Sequence, residues 1–287
     1  MTGKRRFRPA IALAAMTLLA VGGSSITAEL PEYPLAEAAR LWVEPVSDDP
    51  EQLTCSFSRP QISLLEKLNR ADRDHLVELG EIVVPDRWDL HGLAYSPLAV
   101  HYAALEDFAK AVVVHKPGQV FGAYERGRLV RWGPVNSGAA SSPTPDGLFY
   151  RNWKSTGRHS TVNRNWFLRW HFNFHNRRGH SFHHYELSGR PVRHGCLRLL
   201  ERDAKWLYEW GDEWTLGLHE RAIEDPGTPV LILGKYDHAE PAPWRTARRL
   251  EAGGRLPFAE DMILVTLLGS QLTLQIEAGG LDVTDSD

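Results

Sequence analysis

Between Lys110 and Gly234 the apolar positions fall in short runs separated by turn residues. Ala111-Val112-Val113-Val114-His115 is the first run and Lys116-Pro117-Gly118 a turn. Gln119 to Glu125 makes a second strand, and Arg126-Gly127-Arg128 turns into a third from Leu129 to Val135. Pro143 to Gly147 is a further turn feeding Leu148-Phe149-Tyr150, and Pro229-Val230-Leu231-Ile232-Leu233 reads as a buried closing strand. Closely spaced strands with turn signals predict a sandwich or barrel rather than βαβ units. Leu200, Ala204, Leu207, Tyr208 and Gly211 share one face of a short helix. Upstream, Ile62, Leu65 and Leu68 have helical spacing, followed by a polar turn at Asn69 to Asp72 and a β-run from Gly80 to Pro85. Pro31, Pro34, Pro45 and Pro50 interrupt residues 29–58, which read as a linker with one short helix. Beyond Tyr236 a Pro- and Arg-bearing linker leads to Met262 to Ile276, two apolar runs around Gly269-Ser270 that fit a hairpin or a helix equally.

The N-terminus has a different pattern. Lys4, Arg5, Arg6 and Arg8 precede the uncharged apolar run Ala10 to Val21 and then the small residues Gly22, Gly23, Ser24 and Ser25. A basic segment, a short apolar run and small residues predict a secretory signal over residues 1–28, cleaved near Ala28. Left uncleaved, the same run would anchor the chain at a membrane. The expected destination is the periplasm or cell envelope.

Composition narrows the classes. The chain has 287 residues, 43% of them hydrophobic and 24% charged, which excludes wholesale disorder. A formal net charge of −3 lacks the basic excess of a nucleic-acid binder. Two cysteines exclude a disulfide scaffold and an all-cysteine metal cage. Nothing reads as a multi-pass membrane protein.

Candidate chemistry concentrates in Phe182-His183-His184 through His194-Gly195-Cys196-Leu197-Arg198. A thiolate attacks, and an imidazole holds the proton for the leaving group. Gly195 allows close backbone approach and an unobstructed N–H for a developing oxyanion. In an extended segment Arg198 shares a face with Cys196, where it could hold a substrate carboxylate. By residue type alone the same side chains also fit a buried thiol beside satisfied histidines, or a mixed zinc site of His183, His184, His194 and Cys196. Cys55 reads as a free, silent thiol. His171, His175 and His180 read as packing or surface residues, one of which could line the cleft.

The segment from about Lys110 to Gly234 resembles the catalytic domain of the L,D-transpeptidases, the YkuD-like family. The resemblance rests on the strand pair Val112 to Glu125, Gly138…Thr144-Pro145-Asp146-Gly147, the His-bearing strand Phe182-His183, Gly189-x-Pro191, and His194-Gly195-Cys196-Leu197-Arg198 followed by Asp203-Ala204. It implies a mainly β fold: a YkuD-like β-sandwich with a short helix after the cysteine, beside a mixed α/β N-terminal region. It implies Cys196 as nucleophile, His183 as base, His194 and Gly195 as signature residues, and Arg198 as the substrate-binding arginine. No metal or cofactor is implied. The implied reaction is acyl transfer through a thioester, from a peptidoglycan tetrapeptide stem to an amine on a second stem. Water as acceptor would make a carboxypeptidase or endopeptidase instead. Two features depart from the family pattern. Arg193 stands where Ser or Thr usually precedes His-Gly-Cys and bears on how the acceptor sits, and the loop from His184 to Val192 is short.

Residues 60–88 resemble the second half of a LysM peptidoglycan-binding module, so a non-catalytic wall-binding protein is the reading from another class. The expected organisation is a signal over 1–28, an N-terminal region over 29–105, a catalytic domain over 106–236 and a C-terminal extension over 237–287.

Overall fold

A computed structural model describes residues 39–192, 194–216, 223–246 and 263–267. The signal expected over residues 1–28, Arg193 and most of Met262 to Ile276 lie outside them.

The described chain opens with β1 (Leu41–Pro45), α1 (Pro50–Ser56), α2 (Arg59–Asn69), α3 (Arg73–Leu76) and β2 (Glu81–Pro85). β1 and β2 pair antiparallel, Leu41 opposite Pro85. The linker expected over residues 29–58 carries its one short helix, α1, and in addition the paired strand β1. Pro50 begins α1 instead of breaking it, because the first helical turn needs no N–H from it, and Asp49 caps the helix by accepting from Glu51 N.

The remaining strands are β3 (Ala111–His115), β4 (Val120–Glu125), β5 (Arg128–Pro134), β6 (Gly147–Tyr150), β7 (Lys154–His159), β8 (Phe167–His175), β9 (His180–His184) and β10 (Leu197–Leu199). After them come α4 (Glu201–Trp210), the short pair β11 (Thr215–Leu216) and β12 (Ile223–Asp225), and β13 (Pro229–Leu233). One sheet has the order β5-β4-β3-β13-β6 and another β10-β9-β8-β7. This is the mainly β architecture expected from the strand pattern. The β4–β5 turn places Arg126 at φ 44° and Gly127 at φ 77°, the left-handed pair that a tight hairpin requires.

Both faces of the five-stranded sheet are covered, which is why β3 and β13 are continuous apolar runs rather than alternating ones. On one face Val112, Val114, Phe121, Val230 and Ile232 pack against Phe174, Phe182, Leu197 and Leu199 of the four-stranded sheet and Ala204 and Leu207 of α4. On the other, Val113, Tyr124 and Leu231 share a core with Leu41, Leu68, Val83, Tyr95 and Leu98. The N-terminal region therefore packs directly onto the central sheet.

It also grips the loop joining β9 to β10. Asp72 accepts from Leu187 N at 2.7 Å and its own N–H donates to Leu187 O. Buried Asn136 accepts from Ser188 N at 2.8 Å and donates to Arg70 O. Each bond ties the connection between His183 and Cys196 to fixed backbone.

Candidate active site

Strands β8 and β9 alternate by the two-residue period of a pleated sheet. Phe174 and Phe182 point into the core, and Phe172 is buried against Tyr208 of α4. His171, Asn173 and His183 point the other way and line a cavity of about 410 Å³, which Cys196, His194 and Arg198 also line. The structure thus brings His183, His194, Cys196 and Arg198 to one cavity. Neighbouring His184 lines a different groove beside Glu186 and Glu201. Among the described residues no cluster of three or more His, Cys, Asp or Glu side chains is placed to hold a metal ion.

His183 is buried, and its Nδ1 lies 3.1 Å from the carbonyl oxygen of His184. A carbonyl only accepts, so Nδ1 carries the proton and Nε2 keeps its lone pair. Burial, reinforced by the nearby Arg198 charge, brings the His183 pKa down to about 4. At neutral pH the imidazole is an uncharged base.

The sulfur of Cys196 lies 3.7 Å from Ser181 Oγ, which donates to it, and 3.8 Å from the carbonyl of Gly179. Burial pushes the thiol pKa up, while the Ser181 hydroxyl and backbone and the Arg198 charge favour the thiolate. Burial outweighs them. At neutral pH the cavity therefore holds an uncharged thiol and an uncharged imidazole.

The turn before the sulfur is held open by backbone geometry. His194 has φ 86° and Gly195 φ 68°. For His194 that is a strained region, and such strain persists only where the surroundings enforce it. Its ring meets Trp166 edge-on at 5.1 Å. A Cβ at Gly195 would lie 2.7 Å from Nε2 of His180, so packing and φ both require glycine. The Cys196 N–H donates to His194 O, whereas the Gly195 N–H has no hydrogen-bond partner among the described residues.

The Gly138…Thr144-Pro145-Asp146-Gly147 segment supplies the opposing clamp. Thr144 Oγ1 donates to Gly195 O at 2.8 Å and accepts from Gly138 N at 2.9 Å. Lys116 holds the segment through Thr144 O and Asp146, each at 2.8 Å. Thr144→Val should strand two buried polar groups and lower stability by about 1–3 kcal/mol. A urea midpoint and kcat/KM both matching the parent protein would show that the clamp does not hold Gly195.

Several cavity residues have no motif to announce them. Trp153 stacks on His171 at 4.8 Å, and the Arg158 guanidinium lies over the far ring at 4.9 Å. Arg198 lies 4.5 Å over Tyr185. Ser181, the sulfur's donor, could have been found from the polar face of the alternation, with His171, Asn173 and His183. Cys55 is exposed and free.

A half-buried sulfur and a neutral imidazole on one cavity, with glycine and threonine shaping the turn, make a site suited to acyl transfer by a cysteine. Residues 109–232 match the family model of the L,D-transpeptidase catalytic domain (YkuD), a span that contains all the site residues named from the sequence. Among solved structures, the chain is similar to an L,D-transpeptidase from Stackebrandtia nassauensis, with 25% identity over 45% of this chain and 58% of that one and a TM-score of 0.37. The L,D-transpeptidase from Mycobacterium smegmatis shows 17% identity over 44% and 59%, TM-score 0.35. L,D-transpeptidase 3 from Mycobacterium tuberculosis, in complex with a faropenem-derived adduct, shows 20% identity over 44% and 60%, TM-score 0.34. The chain spans less than two thirds of each of these structures. No curated protein matches it.

Proposed function

We propose that this protein is an exported peptidoglycan L,D-transpeptidase that transfers an acyl group through a thioester on Cys196. The observation that carries the reading is the placement of Cys196 and His183 on one cavity, with His183 Nδ1 committed to the His184 carbonyl. Nε2 is then the atom left to take the thiol proton.

In this mechanism the sulfur attacks the carbonyl carbon preceding the terminal D-residue of a tetrapeptide stem, and its proton passes to His183. The oxygen gains negative charge near the Gly195 N–H. The C–N bond breaks, and the imidazolium returns the proton to the departing amine. The thioester remains until an amine of a second stem attacks its carbonyl. The C–S bond then breaks, and His183 moves the amine's proton back to the sulfur. Arg198, over Tyr185, is placed to hold a carboxylate of the stem.

Incubation of the full chain with purified tetrapeptide-stem muropeptides, with products resolved by mass, tests the reading. Cross-linked dimers lacking the terminal D-residue are expected. Tripeptides alone would assign water as the acceptor, and unchanged substrate would overturn the proposal. Export rests on the basic residues Lys4 to Arg8 and the apolar run that follows. A fusion of residues 1–35 to a reporter active only outside the cytoplasm should give signal, and a silent reporter would remove the compartment.

A further inference from the structure

Among the described residues the cavity is lined by four arginines, Arg158, Arg177, Arg178 and Arg198, and by no aspartate or glutamate. They come from three separate places: Arg158 from β7, Arg177 and Arg178 from the turn between β8 and β9, and Arg198 from β10. Elsewhere several arginines are neutralised by carboxylates, and the buried Arg70 and Arg151 donate to backbone carbonyls. Arg131 pairs with Asp203, Arg169 with Glu201, Arg87 with Asp89 and Arg202 with Glu66. None of the four cavity arginines is in an ion pair among the described residues. On a chain with a net charge of −3, that gathering of unpaired cations around one pocket goes against the overall balance.

Like charges gathered around a cleft repel one another and focus a positive potential into it, which an anionic ligand relieves. A guanidinium fork matches a carboxylate in particular. His171 and His183 add no charge of their own at neutral pH, since burial brings them down to about 3 and about 4. One carboxylate, that of the departing D-residue, would occupy one arginine. The remaining three have no carboxylate partner among the described residues, Arg158 resting only on the Trp153 ring.

We infer that the cavity selects a multiply carboxylated donor: a stem whose backbone and side-chain carboxylates are free, in preference to the same stem with those groups amidated. The inference rests on the transpeptidase reading and deepens it. Arg158, Arg177 and Arg178 are the specificity-determining residues, and an amide in place of a carboxylate leaves a guanidinium without its countercharge.

The test compares two tetrapeptide donors, one with free stem carboxylates and one with them amidated, using the same acceptor and the full chain. The free-acid donor should show kcat/KM at least about tenfold higher, the difference expected from one charge-assisted hydrogen bond. Raising NaCl from about 0.05 to about 0.5 M should narrow the gap, because screening acts on the charged donor. The double variant Arg177→Gln/Arg178→Gln, in an exposed turn, should bring the ratio below about threefold, which a merely structural role would not do. Equal kcat/KM for the two donors would overturn the inference and leave the transpeptidase reading standing. So would a double variant that lowers both donors by the same factor. Turnover of neither donor would overturn that reading and the inference together.

Discussion

Cys196→Ala is expected to lower muropeptide turnover by at least about 10³-fold, the scale of losing a nucleophile from a site whose parts act as a unit. In the proposed mechanism the sulfur is the atom on which the acyl group rests between donor and acceptor. A carbapenem that acylates and leaves slowly should therefore accumulate there, as the family resemblance implies. Mass spectrometry should find a single adduct on the peptide containing Cys196, absent from Cys196→Ser because a hydroxyl is a far weaker nucleophile. Cys55, exposed on α1, is not among the cavity residues and should stay unmodified. Selectivity would then come from the base and the cavity, since burial raises the Cys196 pKa instead of lowering it. An adduct on Cys55, or turnover that survives Cys196→Ala, would remove the sulfur from the mechanism.

His183→Ala should cost on the order of 10²-fold or more in kcat, as loss of a general base does. His184→Ala should cost far less. Adjacent residues on a strand face opposite ways, and His184 lines the other groove. The pH profile offers an independent check. An imidazole accepts a proton only when neutral, and that of His183 stays neutral until pH falls to about 4. The acid limb of kcat/KM should lie near there, well below the value of about 6.5 for an ordinary histidine. Cys196 adds no acid limb, because its thiol is already protonated on that side. A larger loss in His184→Ala, or an acid limb near the ordinary value, would assign the base elsewhere.

Much of the catalytic region was legible in the amino-acid sequence because its signals are local. Ala111–His115, Val120–Glu125 and Arg128–Pro134 are bounded by turn residues whose backbone preferences act over a few positions. The helix after Cys196 follows from the spacing of Ala204 and Leu207. The prolines do bound short elements, Pro45 ending a strand and Pro50 beginning a helix, but nothing local showed that the strand would be paired. A proline's effect depends on whether its missing N–H would have had a partner, and tertiary pairing decides that.

By itself, then, the sequence determined the strand-rich texture, the His-Gly-Cys-x-Arg motif and the parity that sends His183 and His184 to opposite faces. Those are properties of neighbouring residues and of the two-residue period. The tertiary structure decided what distant residues share. It set Thr144 on the carbonyl of Gly195 and Ser181 on the sulfur. It tied Asp72 and Asn136 to the loop before the cysteine, and gathered Arg158, Arg177, Arg178 and Arg198 around one cavity. No local pattern encodes these meetings, because strand register and the packing of the two sheets bring the segments together only when the whole core closes.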